Sequence, residues 1–478
     1  MIPLRLDEIA SAAGLPVPAA AHEVLVTDVE FDSRRVGPGT LFVALRGDRV
    51  DGHEFAEAAR DAGAVAVLGT RDVGVLPTLV CPGDDSTVLQ ALAAIAHRSV
   101  TALIERGLTV VGVTGSAGKT STKDLIAAVL ATDGPTIAPP ESFNNELGHP
   151  YTVLRADDAT RYLVLELSAR GPGHIAALAA TAPPLVGAVL NVGSAHLGEF
   201  GSVAAIAAAK GELVEALPAA VDGGVAVLNA DDPAVAAMAG RTTAAVVRVG
   251  LGIDADVRAL DVRIDDRTRA EFTLSTPEGD APVRLRVAGE HQVGNALAAA
   301  AVGRAVGLGV DQVAAALSAA GPASKWRMDV ADLPGGVTVV NDAYNANPES
   351  MRAALRSLTA LGTGRRTWAV LGPMGELGEA GDPAHLDLGR QIAGLGIDRL
   401  VVVDGDTAES SRSARLLHQG AGLESSWAGE AALVADVAAA VALLRAALRP
   451  GDVVLVKASR AAGLERVALA LIDEGSTG

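Results

Sequence analysis

The stretch that decides the fold runs from residue 109 to residue 122 and reads Thr-Val-Val-Gly-Val-Thr-Gly-Ser-Ala-Gly-Lys-Thr-Ser-Thr. Its β-branched first half predicts a buried strand, and residues 121–130 predict a helix. A glycine loop between a strand and a helix cradles phosphate, because glycine lets the backbone approach the anion. The first helical turn adds unpaired N–H groups that point at it. The sequence therefore predicts a nucleotide site here.

The two residues after the loop supply its chemistry. Lys119 brings a positive charge to phosphate oxygens, and the Thr120 hydroxyl is a ligand for Mg²⁺. The common form of the motif has glycine where this chain has Val113, so the match is to the shorter Thr-Gly-Ser-x-Gly-Lys-Thr. The nucleotide-binding residues predicted from the loop are Gly115, Ser116, Ala117, Gly118, Lys119, Thr120 and Ser121.

Composition excludes several classes of protein. A net charge of −18 argues against nucleic acid as an electrostatic partner. The single cysteine, Cys81, rules out a disulfide framework and a cysteine-based metal site. The N-terminal residues lack the long apolar segment of a signal peptide, and no uncharged stretch is typical of a membrane span. We therefore expect a cytoplasmic protein without membrane insertion.

The chain of 478 residues predicts about three domains at roughly 150 residues each. Residues 1–105 predict a small α/β unit, with strand patterns at 24–31 and 40–45. Residues 106–320 alternate strands with helices and predict a doubly wound, mostly parallel sheet. After a linker, residues 321–478 predict a second α/β sheet. The fold class is thus α/β, in three domains.

Candidate chemical groups follow the predicted strands of the central unit. Glu166 ends one strand and is a candidate Mg²⁺ ligand beside Thr120, and His196 follows another strand. Lys210 lies on an alanine-rich helix and is one of only five lysines in the chain. Taken alone, these three residues leave alternatives open: a helix cap or surface acid for Glu166, an ordinary loop histidine for His196, and a solvated helix lysine, which is the default, for Lys210.

Polar loops of the outer units give weaker signals. Asp342-Ala-Tyr-Asn-Ala-Asn-Pro348 follows a predicted strand, where Asp342 could hold ribose hydroxyls and Asn345 an adenine edge. In the first unit, Ser33, Arg34, Asp51 and His53 lie in loops, where ordinary turn chemistry alone would explain them.

Motifs spread along the whole chain resemble those of the Mur ligases, the ATP-dependent amide ligases of peptidoglycan precursor synthesis. The short phosphate loop is the family's own form. Residues 28–34, 39–42 and 51–55 resemble its UDP-recognising first domain. Residues 143–150 and 342–350 resemble the MurF type, whose members add D-alanyl-D-alanine. Two stretches depart from the family's usual sequence: Lys325-Trp326 replaces the commoner Arg-His, and residues 372–378 also differ from the family's pattern.

The resemblance implies roles for individual residues. Lys210 matches the lysine that the family carbamylates to N-carboxylysine, and Glu166 and His196 match the rest of the Mg²⁺ site with Thr120. Arg327 matches the arginine that reaches the γ-phosphate. The implied catalytic residues are Lys119, Lys210, His196 and Arg327; nucleotide contacts add Asn295, Asp342 and Asn345; substrate contacts are Ser33, Arg34, Asp51, His53, Asn144 and Asn145.

The resemblance also implies the reaction and the architecture. These are a P-loop ATPase domain between a UDP-substrate domain and a Rossmann-like ligase domain. With ATP and Mg²⁺, the enzyme would join D-alanyl-D-alanine to UDP-N-acetylmuramoyl-tripeptide through an acyl phosphate, acting as a monomer. Another Mur-type ligase, a folylpolyglutamate synthase type of ligase and a nucleotide-dependent switch remain as alternatives. The chain lacks the Asn-Lys-x-Asp signature of guanine-binding switches.

Overall fold

The structure, a computed structural model, describes residues 1–18, 21–47, 50–140, 142–193 and 197–475, with side chains to residue 473. The first unit contains a four-stranded parallel sheet in the order β3-β4-β5-β6 and a separate antiparallel pair, β1-β2. Its elements are β1 (Leu4–Arg5), α1 (Leu6–Ala12), β2 (Leu25–Val26), β3 (Asp28–Glu30), β4 (Thr40–Val43), α2 (Ala56–Ala62), β5 (Ala64–Gly69), β6 (Thr78–Val80) and α3 (Asp85–Ile104).

The strand predicted at 24–31 is two strands that belong to different sheets. Leu25–Val26 pairs antiparallel with Leu4–Arg5, whereas Asp28–Glu30 pairs parallel with β4. Thr27 separates them, and its N–H donates to the Gly39 carbonyl at 2.9 Å. The change of hydrogen-bonding partner at Thr27 divides a continuous extended run that sequence alone cannot divide.

The central unit is built on a nine-stranded sheet. Its elements are β7 (Thr109–Thr114), α4 (Lys119–Leu130), β8 (Thr136–Ile137), α5 (Gly148–Val153), β9 (Tyr162–Glu166), α6 (His174–Thr181), β10 (Val186–Val189), α7 (Leu197–Phe200), α8 (Val203–Glu215), β11 (Val225–Asn229), α9 (Pro233–Ala236), β12 (Ala245–Gly250), β13 (Val257–Ile264), β14 (Arg269–Thr276), β15 (Gly279–Ala288), α10 (Gln292–Ala305) and α11 (Val310–Ala319).

This sheet has a parallel part and an antiparallel extension. The strand order is β15-β14-β13-β12-β11-β10-β7-β9-β8, and only the β13-β14 and β14-β15 pairs are antiparallel. Every second residue of β14 is buried, as in a sheet with one face covered. The phosphate-loop strand β7 lies between β10 and β9, as expected for a doubly wound fold.

The last unit carries a six-stranded sheet in the order β16-β17-β21-β18-β19-β20, parallel except for the β16-β17 pair. Its elements are β16 (Asp329–Asp332), β17 (Thr338–Asn341), α12 (Pro348–Leu361), β18 (Thr367–Leu371), α13 (Gly381–Gly394), β19 (Arg399–Val403), α14 (Ala408–Gly422), β20 (Glu430–Val434), α15 (Val437–Ala447), β21 (Val453–Lys457) and α16 (Glu465–Gly475).

Alternating residues of the central strands face two different cores. Val110 and Leu163 join one core with α3, whereas Val111 and Val164 join another with α4 and α10. The first core is continuous between the N-terminal and central units, so these two units pack as one body. Helix α3 is long and apolar enough to cross a membrane, but half of it is buried in this core. The C-terminal sheet is packed mainly on two cores of its own.

Candidate functional site

The phosphate loop begins where β7 ends. Two features of the structure favour glycine at position 118 of this loop. Gly118 precedes α4 with a left-handed φ of 82°, and a Cβ there would lie 2.6 Å from Oδ1 of Asn295. Asn191, which follows β10, holds the loop from the other side. Its side chain accepts from the Ala117 N–H at 2.8 Å and donates to the Ala117 carbonyl at 3.0 Å. Asn191 is a supporting residue that the sequence analysis missed.

Lys119 folds back over this loop. Its Nζ donates to the Gly115 carbonyl at 2.9 Å. Burial lowers the pKa of Lys119, against the attraction of the Glu166 carboxylate. The amine therefore lies beside the backbone that would cradle phosphate, where an anionic ligand would restore its preference for the charged form.

Thr120 and Glu166 meet as the sequence analysis predicted. Thr120 Oγ1 donates to Glu166 Oε2 at 2.9 Å, and Asn144 donates to the other carboxylate oxygen at 2.7 Å. Ser142 lies 2.8 Å from the Thr120 hydroxyl. Glu166 is almost fully buried at the end of β9. Ser142 belongs to this group of oxygens, although the sequence analysis passed over it because a lone serine gives no signal.

Lys210 is buried on α8. Burial, and secondly the charge of Lys119, lower its pKa from 10.5 to about 7. The predicted ligand His196 lies outside the described residues. Among the residues that are described, no three His, Cys, Asp or Glu side chains form a ready metal cluster. The oxygens of Thr120 and Glu166 are nevertheless of the type that Mg²⁺ prefers.

Arg327 reaches this group of oxygens from the C-terminal unit. Its Nη2 donates to Thr120 Oγ1 at 3.0 Å and to Ser142 Oγ at 3.1 Å. Its guanidinium lies 4.2 Å from the centre of the Tyr344 ring. A second contact between the units is the donation from the Asn347 side chain to the Ser116 carbonyl at 3.3 Å. The C-terminal sheet is therefore closed over the phosphate loop.

The loop after β17 is held from beneath by a lysine. Asp342 Oδ2 pairs with Lys457 Nζ at 2.6 Å, and Asp342 Oδ1 accepts from the Met328 N–H at 3.0 Å. The Asn345 side chain accepts from the Ala346 N–H at 2.9 Å. Across the cleft, the side chain of Asn295 donates to Gln292 at 2.8 Å.

These groups line one cavity of about 570 Å³ between the central and C-terminal sheets. It brings together residues from the phosphate loop, the ends of strands β9 and β10, the start of α10 and the loop after β17. The predicted residues that line it are Ser116, Ala117, Gly118, Lys119, Thr120, Ser121, Asn144, Asn145, Glu166, Asn295, Arg327, Asp342 and Asn345.

The four candidates of the first unit do not line this cavity. Arg34 is exposed and paired with Asp32 at 2.7 Å, and this hydrogen bond lowers the Asp32 pKa to about 2. His53 is buried, with Nδ1 on Asp51 at 2.6 Å and Nε2 accepting from the Thr70 N–H at 3.0 Å. Both ring nitrogens are used, so His53 shapes its loop rather than presenting a free nitrogen.

A buried carboxylate links this first-unit loop to the central unit. Glu30 accepts from the N–H groups of Phe31 and Asp32 at 2.9 and 3.1 Å, which shapes the loop that carries Ser33. Its other oxygen accepts from the Tyr151 hydroxyl at 2.9 Å. Tyr151 lies on α5, directly after the segment of Asn144, so this hydrogen bond joins the loop of Ser33 to the central unit.

Models of known protein families match three successive parts of the chain. Residues 113–303 match the Mur ligase middle domain, residues 326–460 match the glutamate ligase domain of Mur ligases, and residues 25–110 match the catalytic domain of the Mur ligase family. The chain belongs to the Mur ligase family. The family and the three-domain α/β fold class predicted from the sequence are confirmed.

Relatives of the MurF type match the whole chain. The UDP-N-acetylmuramoyl-tripeptide–D-alanyl-D-alanine ligase of Mycobacterium tuberculosis strain H37Rv is 52% identical over 515 residues, covering 100% of this chain and 99% of its own. The ligase of the same name from Escherichia coli K12 is 34% identical, covering 95% of both chains.

Solved MurF structures share the fold. The structure of MurF from Acinetobacter baumannii has a TM-score of 0.84 at 29% identity, covering 98% of this chain and 99% of that chain. MurF ligase from Thermotoga maritima, solved in complex with ADP, has a TM-score of 0.79 at 29% identity, covering 95% and 98%. The ADP complex supports the use of an adenine nucleotide in this family.

Proposed function

We propose that this Mur ligase joins D-alanyl-D-alanine to UDP-N-acetylmuramoyl-tripeptide at the expense of ATP. The observation that carries the proposal is the single cavity in which the phosphate loop, Glu166 and Arg327 meet across two domains. The full-length identity of 52% to a ligase of this name supports the choice of substrates.

The first step is a phosphoryl transfer that needs mainly positioning and charge neutralisation. The C-terminal carboxylate of the tripeptide attacks the γ-phosphorus of ATP, forming an acyl phosphate and releasing ADP. Lys119 and the loop N–H groups hold the phosphates. Arg327 donates hydrogen bonds to Thr120 and Ser142. From this position its guanidinium would stabilise the negative charge that develops on the transferred phosphoryl group.

In the second step the dipeptide amine attacks the acyl carbonyl, and phosphate leaves from the tetrahedral intermediate. Water competes for the same carbonyl, so the site must be closed while the acyl phosphate exists. The contacts of Arg327 and Asn347 with the central unit are those of a closed arrangement. The linker at 321–328 is the hinge about which we propose that the last domain opens.

The metal site of the proposal consists of Thr120, Glu166, His196 and Lys210. Bound Mg²⁺ would neutralise phosphate charge during the transfer. A lysine ammonium would repel the cation, but a neutral amine reacts with CO₂ to give a carbamate and a proton, and the carbamate offers oxygen ligands. The lowered pKa of buried Lys210 supplies the neutral amine that this modification needs.

The first domain would bind the UDP end of the substrate through Ser33, Arg34 and Asp51, with His53 supporting their loops. Asn144 and Asn145 would contact the substrate nearer the reaction centre, and Asn144 already touches Glu166. On the nucleotide, we propose that Asn295 and Asn345 contact adenine and Asp342 the ribose. We further propose that the enzyme is cytoplasmic and acts as a monomer. Light scattering can check the monomeric state.

The test is phosphate release from ATP with UDP-N-acetylmuramoyl-tripeptide, with and without D-alanyl-D-alanine. We expect sustained release only with the dipeptide, with the amide product seen by mass spectrometry. Release that depends on a single amino acid would favour another Mur-type ligase, and release that depends on folate would favour a folylpolyglutamate synthase. Either result would refute the proposed substrates.

A further inference from the structure

The backbone on both sides of Arg327 adopts an unusual conformation that surrounding contacts must hold in place. Trp326 and Met328, on either side of it, have φ values of 57° and 51°. Bulky side chains rarely adopt this left-handed region, because Cβ crowds the following carbonyl. Such a conformation persists only when surrounding contacts fix it. The reach of Arg327 into the central domain therefore depends on whatever holds residues 326–328.

The loop after β17 supplies part of this support. Asp342 Oδ1 accepts from the Met328 N–H at 3.0 Å, and the Tyr344 N–H donates to the Trp326 carbonyl at 3.3 Å. The Tyr344 ring also stacks on the Arg327 guanidinium. Both peptide units that flank Arg327 are thus bonded to residues 342–344.

The loop is itself fixed by Lys457 at the end of β21. Its ammonium has three donors, and all three are used within the loop. They reach Asp342 Oδ2 at 2.6 Å, the Asn345 carbonyl at 2.8 Å and the Asp342 carbonyl at 3.3 Å. Lys457 is 2% exposed. Although it lines the cavity, its hydrogen-bonding capacity is directed at the protein rather than at a ligand.

We propose that Lys457 is a positioning residue for phosphoryl transfer, acting through Asp342 and the Met328 N–H to hold Arg327 over the phosphate loop. This assigns a function to a buried lysine that no sequence motif marked. The alternative is that Lys457 contacts nucleotide or substrate directly. The two roles differ in what happens when Arg327 is already absent.

The decisive experiment is a double-mutant cycle on phosphate release, with Lys457→Met, Arg327→Ala and the combination. Lys457→Met should lower kcat by about 100-fold, the loss that a misplacement of roughly 1 Å can cause. Because it acts through Arg327, Lys457→Met should add almost nothing to Arg327→Ala. Losses that multiply in the double variant would refute the proposal.

Hydrogen exchange gives a readout that does not require catalysis. In Lys457→Met the Met328 amide should exchange faster, since its acceptor Asp342 is no longer held. Lys457→Gln, which retains an amide donor, should be intermediate in both exchange and kcat. It also replaces Lys457→Met if that variant does not fold. Unchanged exchange at Met328 in the variant that is tested would overturn the proposal.

A matched control lies at the other end of the same strand. Asp452 is buried just before β21 and pairs with the partly exposed Arg366 at 2.6 Å. Arg366→Met should lower the melting temperature but leave kcat per folded molecule and Met328 exchange unchanged. An equal loss of kcat in this control would mean that Lys457 acts only through domain stability, which would refute the positioning role.

The kinetic arm rests on the proposed function, but the exchange arm does not. If the wild-type enzyme shows no dipeptide-dependent phosphate release, the proposed substrates are wrong, whereas the effect of Lys457 on Met328 exchange still decides whether the hinge is held as proposed.

Discussion

His149 offers a stability test that is independent of catalysis. The side chain is completely buried on α5, and neither ring nitrogen has a hydrogen-bond partner among the described residues. Burial lowers its pKa from 6.5 to about 4, against a weak contact with the Leu178 backbone. Because folding depresses this pKa, the folded state resists protonation that the unfolded state accepts. Stability is therefore lost as the pH falls from about 6.5 towards 4.

The size of the effect follows from the two pKa values. At pH 5 a histidine of pKa 6.5 is about 97% protonated, whereas His149 with a pKa of about 4 is about 9% protonated. The difference favours the unfolded state by a factor of about 30, or about 2 kcal/mol, and it vanishes above pH 7.5. His149→Leu should remove this loss and be neutral to about 1 kcal/mol stabilising at pH 7.5, because no hydrogen bond is broken.

The assay is urea-induced unfolding of wild type and variant at pH 7.5 and pH 5, and the quantity compared is the change in unfolding free energy. His385→Leu is the control, because His385 is also buried but accepts from the Met374 N–H at 2.8 Å and pairs with the Gly381 carbonyl at 2.7 Å. It should lose about 1–3 kcal/mol at pH 7.5. If His149→Leu is destabilising at pH 7.5, or as sensitive to acid as wild type, the reasoning fails.

Three further substitutions test the site. Lys210→Ala should lower kcat by about 100-fold or more, since the proposed carbamate ligand would be lost, with partial rescue by formate or acetate; undiminished activity would remove Lys210 from the site. Gly118→Ala should abolish ADP binding measured by calorimetry, because φ is 82° and Cβ would overlap Asn295; wild-type affinity would contradict this. Tyr151→Phe should raise the KM for the UDP-linked substrate about fivefold, since Glu30 loses a donor worth about 1 kcal/mol; an effect on kcat alone would contradict the link.

Local patterns predicted much of the fold because they are set by nearest neighbours in the chain. Helix α12 is an example, because Asn347 caps it by accepting from the Ser350 N–H and Pro348 occupies its first turn, and both residue types mark a helix start in a sequence. The antiparallel extension by β14 and β15 is built from consecutive strands, and the sequence analysis did not predict it. The division of residues 24–31 depends on which strands its two halves pair with, β1 for one and β4 for the other. Such partners leave no mark in a single strand.

The residues of the site also fall into those that the sequence could predict and those that it could not. The contact of Thr120 with Glu166 could be predicted, because Glu166 ends β9 and Thr120 follows the parallel strand β7, and the carboxyl ends of parallel strands lie at one edge of the sheet. Ser142 and Asn191 could not, because a lone serine or asparagine in a loop has no periodicity or spacing to reveal it. For Lys457, the sequence shows only that one of the few lysines ends a predicted strand. Its hydrogen-bond partners are seen only in the folded structure.

The division of the site between two domains has a consequence for the order of events. Arg327 and Asn347 contact the central domain in the arrangement observed. In the open arrangement that we propose, Arg327 would lose these contacts and water would enter the site more easily. In an open enzyme the γ-phosphate would lack this cation, so transfer would be slow while water has access. One movement would therefore supply the charge needed to make the acyl phosphate and the enclosure needed to keep it. A covalent tether that held the domains apart should suppress formation of the acyl phosphate, not merely increase its hydrolysis.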